Sequence, residues 1–196
     1  MDIQRHIQSA IRTFSGEILI YLVAGIIVSF LSGVTLGLLA GPLMGGFVRM
    51  ALLHIRTGKS PQLGDLAYGF QEFGNLFFFF VILILVLLGF FLFIVPGVIF
   101  STWWMYALIL MVDRKTGYRE AMEASKARVT QAGGFFPHLG FLVVVFFLPP
   151  LIVHALAAVF APFGLLHFVI FPLQALAVVH AYQAEFETPE EVLRVD

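Results

Sequence analysis

Four histidines, His138, His154, His167 and His180, fall within one stretch, Val129 to Ala184, that contains no Asp, Glu, Lys or Arg. Imidazole can ligate a metal or carry a proton, and an ionisable group inside an apolar span marks a functional site by default. The spacing argues against a metal site on one helix. His167 and His180 are 13 residues apart, which is about 20 Å along a helix axis and roughly 220° around it. A helical metal pair needs positions i and i+4. His154 lies nearest mid-span and is the histidine to test first for a proton-carrying role. The charges at the ends of the apolar stretches are Glu17, Arg49, Arg56 and Asp113. Arg49 is expected to pair with Asp113 or Glu17 at the boundary, with snorkelling of Arg49 to lipid headgroups as the alternative. Gln174 is expected to hydrogen-bond between helices.

No catalytic motif accompanies these groups. There is no G-x-S-x-G elbow and no H-E-x-x-H. Gly58-Lys59-Ser60 lacks the upstream glycine and the preceding strand of a phosphate loop. No carboxylate lies deep inside an apolar stretch, where proton-coupled transport commonly places one. The expectation is therefore no enzyme, no cofactor and no metal.

The elements that must carry these residues follow from composition. Of 196 residues, 60% are hydrophobic and 12% charged, and 23 are Phe. Soluble domains run near 45–50% apolar and about 25% charged. This excludes an ordinary soluble enzyme, a disordered chain and a nucleic-acid binder with a basic face. Three stretches are free of Asp, Glu, Lys and Arg: Ile18 to Val48, Phe73 to Val112, and Val129 to Ala184. One spanning helix needs about 20 residues. Each stretch carries Pro or Gly near its middle: Ser32-Gly33 and Gly41-Pro42, then Val95-Pro96-Gly97, then Ala161-Pro162-Phe163-Gly164. The reading is all-α: one transmembrane domain over 1–196, with about six helices in three hairpins at 15–33, 35–55, 75–94, 97–112, 137–160 and 163–183. Pro96, Gly97 and Pro162 mark turns, and Pro42 is expected to kink the second span. The continuous apolar runs do not alternate as barrel strands do.

Hairpins put every charged segment on one side. All 11 Lys and Arg then share it, and the positive-inside rule makes that side cytoplasmic, with both termini there. A signal peptide is the alternative for the first span, but no cleavage site closes the run and further spans follow. The chain has no cysteine.

Three polar segments read as amphipathic helices: 1–14 with Ile3, Ile7, Ile11 and Phe14 on one face, then 61–72 and 117–131 on the cytoplasmic side. Ser60-Pro61 reads as the start of the second. Arg119, Lys126 and Arg128 in the third are a candidate lipid- or partner-binding surface. Gly33, Gly37, Gly41 and Gly45 recur at intervals of four. On one helix they form a ladder for close packing against a neighbour, within the chain or in a homo-oligomer. Arg56-Thr57-Gly58 and Lys115-Thr116-Gly117 are a faint internal repeat.

The order Ile94-Val95-Pro96-Gly97-Val98-Ile99, a span ending in Asp113, then Tyr118-Arg119-Glu120-Ala121-Met122-Glu123-Ala124-Ser125-Lys126 resembles bacterial polytopic integral membrane proteins of unknown function. It is also similar to the membrane domain associated with glycerophosphodiester phosphodiesterases. The resemblance covers roughly residues 41–140. It implies a six-helix protein of the bacterial inner (plasma) membrane and no reaction, since the phosphodiesterase chemistry lies in a separate soluble domain. The expected function is a non-catalytic scaffold or accessory subunit that binds membrane lipids or a membrane-protein partner. The alternative is a small oligomeric transporter or channel.

Overall fold

The computed structural model describes residues 2–131 and 134–187. Among them there is no strand. The first helix, α1 (Ile3–Gly16), is capped by Asp2, whose carboxylate accepts the Arg5 backbone N–H at 3.0 Å. It meets α2 (Ile18–Val34) at 102°. Glu17, at φ −139° and ψ 47°, makes the corner. The amphipathic lead-in thus turns off the axis of α2 and lies along the last helix, where the Thr13 hydroxyl meets His180 Nε2 at 2.9 Å. Its inward face is His6, Ala10 and Phe14, and Ile11 stays 49% exposed.

The first turn falls between the two breaker pairs expected to make it. Residues 35–39 form it, with Leu36 and Gly37 in the left-handed region at φ 51° and 83°. Thr35 closes it: its hydroxyl donates to Leu31 O at 2.8 Å and accepts the Leu39 N–H at 3.3 Å. Helix α3 (Ala40–Thr57) follows, so Pro42 is the third residue of a helix. There its missing N–H has no intrahelical partner to lose, and it ends no helix and kinks none.

Gly58 caps α3 at φ 67°. The expected helix start at Ser60-Pro61 is not used. A 3₁₀ turn begins at Leu63, where the Gln62 N–H donates to Asp65 Oδ2 at 3.3 Å. This turn (Leu63–Ala67), α4 (Tyr68–Gln71) and α5 (Phe73–Phe77) pack against α3. A Cβ on Gly46 would overlap the Leu66 backbone, one on Gly69 the Pro42 carbonyl, and one on Gly41 the Leu76 carbonyl. Bare glycines let these backbones touch.

Helix α6 (Phe79–Leu92) and α7 (Ile94–Trp103) are joined at Phe93, which is extended. Pro96 and Gly97 therefore belong to the first turn of α7 rather than to the connection. Gly97 serves packing, since its Cβ would enter the Phe90 ring. The helix breaks at Trp104–Tyr106 and resumes as α8 (Ala107–Asp113). Ser125 of α9 (Tyr118–Gln131) satisfies the break: its hydroxyl donates to Trp103 O at 2.7 Å and accepts the Tyr106 N–H at 3.2 Å.

The next span is α10 (Phe135–Leu142), a π-helical turn (Val143–Phe147) and α11 (Leu148–Val159). Pro149 and Pro150 have no N–H to give to the carbonyls four residues back, Val145 and Phe146. Gln174 supplies the missing donor. Its Nε2 lies 2.8 Å from Val145 O and 3.4 Å from Phe146 O. A 3₁₀ turn (Ala161–Leu166) with Pro162 second leads into α12 (His167–Phe186). Pro172 sits inside α12, and Gly25 of α2 accommodates it: a Cβ there would lie 2.5 Å from Pro172 Cγ.

Four segments are long and apolar enough to cross a membrane: Phe73–Leu92, Ile94–Asp113, Phe135–Val159 and Ala161–Phe186. The bent pair α1–α2 makes five if it counts as one span. Helix α3 is not among them; it carries Arg49 and is buried along most of residues 40–52.

Candidate functional site

Two features collect side chains from several helices. One is a cluster of charges around the C-terminal end of α12. Arg56, near the end of α3, donates to both oxygens of Asp113 at 2.5 and 2.8 Å, and to Glu187 Oε1 at 2.5 Å. The Tyr182 hydroxyl donates to Asp113 Oδ2 at 2.8 Å. Arg114 donates to the Phe186 carbonyl at 3.2 Å, and Arg128 reaches Glu185 at 3.2 Å. Three arginines from three helix ends thus converge on residues 185–187. A helix C-terminus carries the negative end of the macrodipole, which favours cations there. Asp113 accepts three charge-assisted or hydroxyl hydrogen bonds, which fill three of the roughly four acceptor sites of its carboxylate. The cluster is built to hold helix ends together.

This corrects two expectations. The partner of Asp113 is Arg56, one heptad beyond Arg49. The Arg49 guanidinium lies 5.0 Å over the Tyr68 ring. That position follows from the packing of Leu63–Gln71 on α3. Nor do Arg119, Lys126 and Arg128 form one open basic face. Arg128 turns inward to Glu185, Lys126 lies 4.2 Å over the Trp103 ring, and Arg119 donates to its neighbour's hydroxyl, Tyr118, at 3.0 Å. The glycine ladder is also divided. Gly33 lies near the end of α2 with nothing within 4 Å of a Cβ, Gly37 is in the turn, and Gly41 and Gly45 face Leu76 from α3.

The histidines are dispersed. His138 is fully buried, with Nδ1 3.2 Å from Gly134 O and its ring edge-on to Tyr106 at 5.9 Å. His138 Nε2 and the Tyr106 hydroxyl have no partner among the described residues. His180 meets Thr13, and His54 Nδ1 lies 2.8 Å from the Tyr21 hydroxyl. His154 is exposed, with Nδ1 2.8 Å from Pro150 O, and its ring meets that of His167 at 4.7 Å. No third His, Asp or Glu joins them in a metal-sized group among the described residues.

The second feature is a cavity of about 430 Å³. Its walls come from the middles of all four long apolar segments, for example Ile82 and Val86, Ser101 and Met105, Phe146 and Phe147, Gln174 and Ala175, with Met44 and Val48 of α3. None of its lining residues is ionisable. Its two non-aromatic polar side chains already donate internally: Ser101 to Gly97 O at 2.8 Å, and Gln174 to the carbonyls freed by Pro149 and Pro150. Gln174 also borders a smaller cavity of about 150 Å³ between α1, the π-helical turn with Pro149 of α11, and α12.

Gln174 is legible in the sequence as an interhelical hydrogen bonder, and the Pro149-Pro150 pair names its partners by helix spacing. The roles of Tyr182 and Glu187 emerge from the structure. The signal for Tyr182 was a phenol in the last turns of a span, opposite the acidic end of another. The chain matches no protein-family model, no curated protein and no solved structure.

Proposed function

We propose that this chain is a non-catalytic integral membrane protein, a scaffold or accessory subunit that binds lipid. The observation that carries the reading is the cavity of about 430 Å³, lined without an ionisable group and set among the middles of the apolar segments. A polar solute placed there loses its water and finds few donors in return, which costs several kcal/mol. An apolar molecule loses nothing. The carboxylates that approach the bundle, Asp113 and Glu187, are tied to Arg56, which supports a holding role for them over a catalytic one.

The topology we propose keeps three hairpins, with α2 and α3 as the first, in the bacterial inner membrane. The basic segments and both ends of the chain lie on the cytoplasmic side. That sidedness is the same whether α2–α3 crosses fully or turns back within the bilayer. The runner-up, a small oligomeric transporter or channel, rests on the amount of apolar surface left exposed, including Leu87 at 72% and Phe91 at 87%, which lipid or a second copy can cover.

Two measurements on the purified protein test the reading. Solute flux in proteoliposomes is expected to stay at the level of protein-free vesicles, while lipid is retained through purification. Flux that depends on the protein, with no lipid retained, favours the transporter.

A further inference from the structure

We infer that the cavity is the seat of a single acyl chain of a bilayer lipid, whose headgroup stays at the membrane surface. This rests on the lipid-binding reading above and assigns it a place and an occupant. Three observations carry it. The first is depth. Ile82 and Val86, Ser101 and Met105, Phe146 and Phe147, and Gln174 and Ala175 lie midway along their respective apolar segments. The surrounding solvent at that depth is hydrocarbon, and a hollow of this size in contact with it loses dispersion contacts if left empty.

The second is chemistry. Ser101 donates to Gly97 O, and the Gln174 Nε2 is engaged by Val145 O and Phe146 O. The lining side chains therefore leave a polar ligand few groups, the Trp104 indole N–H and the Gln174 and Ser101 oxygens. The third is size. The cavity's volume of about 430 Å³ is many times the ~10–15 Å³ that one water needs on the same measure, so it has room for an acyl chain rather than for a few waters. Phe147, on the cavity wall, is 40% exposed and meets the Phe90 ring at 6.0 Å. The π-helical turn forms this wall because Pro149 and Pro150 release its carbonyls, so Gln174 shapes the pocket without touching a polar ligand.

The chain has two tryptophans, and Trp104 lines the cavity. In a Trp103→Phe background, Trp104 reports alone. Reconstitution into phosphatidylcholine vesicles with acyl chains brominated beyond their midpoint is expected to quench it strongly. Adding Ala175→Phe, which fills the cavity, is expected to remove most of that quenching. Adding Val159→Phe, on an outward position 87% exposed, is expected to leave it unchanged. Val86→Phe fills the cavity from α6 and takes the place of Ala175→Phe if that variant does not fold. Lipid retention by native mass spectrometry is read on the same samples. Equal quenching in the filled and unfilled proteins, with lipid still retained, places the lipid elsewhere and overturns this inference alone. Weak quenching in a protein that runs as a dimer overturns it in favour of a second copy. Weak quenching with no lipid retained overturns both this inference and the function on which it rests.

Discussion

Replacing Gly33, Gly37, Gly41 and Gly45 one at a time by Ala separates packing from sequence periodicity. A one-face ladder makes the four substitutions equivalent. The structure makes them different in size and in sign. At Gly33 an added Cβ meets nothing within 4 Å and the backbone is helical, so Ala gains helix propensity of up to about 1 kcal/mol. At Gly37 an added Cβ makes only an ordinary contact with Phe80 Cε2 at 3.8 Å, but φ is +83°, and an L-residue there costs about 1–2 kcal/mol. At Gly41 the Cβ falls on the Leu76 carbonyl, which is backbone and cannot swing aside. Overpacking of that kind costs about 1–3 kcal/mol, and the upper end applies here. At Gly45 the nearest atom is Leu76 Cδ1 at 2.7 Å, the end of a flexible side chain, so the cost is about 1 kcal/mol. Thermal unfolding in one detergent, followed by circular dichroism, reads the series. At about 2–4 °C per kcal/mol for a chain of this length, Gly41→Ala lowers the midpoint by roughly 6–12 °C and Gly33→Ala leaves it unchanged or raises it slightly. Equal midpoints for Gly33→Ala and Gly41→Ala would refute the reasoning.

Three further outcomes follow from named contacts. Arg56→Met leaves Asp113 and Glu187 without their cation, whereas Arg49→Met removes only a ring contact. The pair is partly buried, with side-chain exposures of 17% for Arg56 and 14% for Asp113, so losing its cation costs towards the lower end of the about 3–5 kcal/mol of a fully buried pair, against about 0.5–2 for a cation–π contact; the Arg56 variant therefore unfolds at the lower temperature, and the reverse order contradicts the assignment. Gln174→Leu strands the carbonyls of Val145 and Phe146. It is expected to cost about 0.5–2 kcal/mol, while Gln174→Asn, too short to reach both carbonyls, recovers little; full stability in Gln174→Leu contradicts the role given to Pro149 and Pro150. Because the chain has no cysteine, single cysteines at Lys59, Lys115 and Gly164 report sidedness to an impermeant thiol reagent on intact cells. Gly164 is expected to label and the other two to stay protected; labelling at Lys115 with protection at Lys59 breaks the three-hairpin topology.

Much of the helical content was legible because it follows from solvent. Long charge-free runs without strand-like alternation satisfy their backbones in lipid as helices, and Glu17, Glu72 and Asp113 fall at helix ends, although α3 runs on through Arg49 to Thr57. What was not legible depended on which backbone came close to which. Gly33 to Gly45 has a period of four, yet Thr35 closes a turn in the middle of it. The period crosses a helix, a turn and a second helix, and only Gly41 and Gly45 share a helix. Pro42 and Pro96 look like breaks in a linear reading, but a proline in the first turn of a helix costs no hydrogen bond, so the helices start just before them. The boundary ion pair was expected in kind and missed in partner, because Arg49 and Arg56 lie on the same face of α3 and only tertiary packing chooses between them. Arg128 was read as surface because its carboxylate partner, Glu185, lies 57 residues away. The cavity left no linear signature, since its walls come from residues that are individually ordinary core.

The central claim, that this is a lipid-binding membrane protein without a reaction of its own, is tested most directly by native mass spectrometry of the protein released from nanodiscs made from its own membrane. The account predicts one retained phospholipid-sized adduct per chain, lost on Ala175→Phe and kept on Val159→Phe. A bare chain under conditions that preserve its fold, or an adduct that cavity filling does not move, contradicts it.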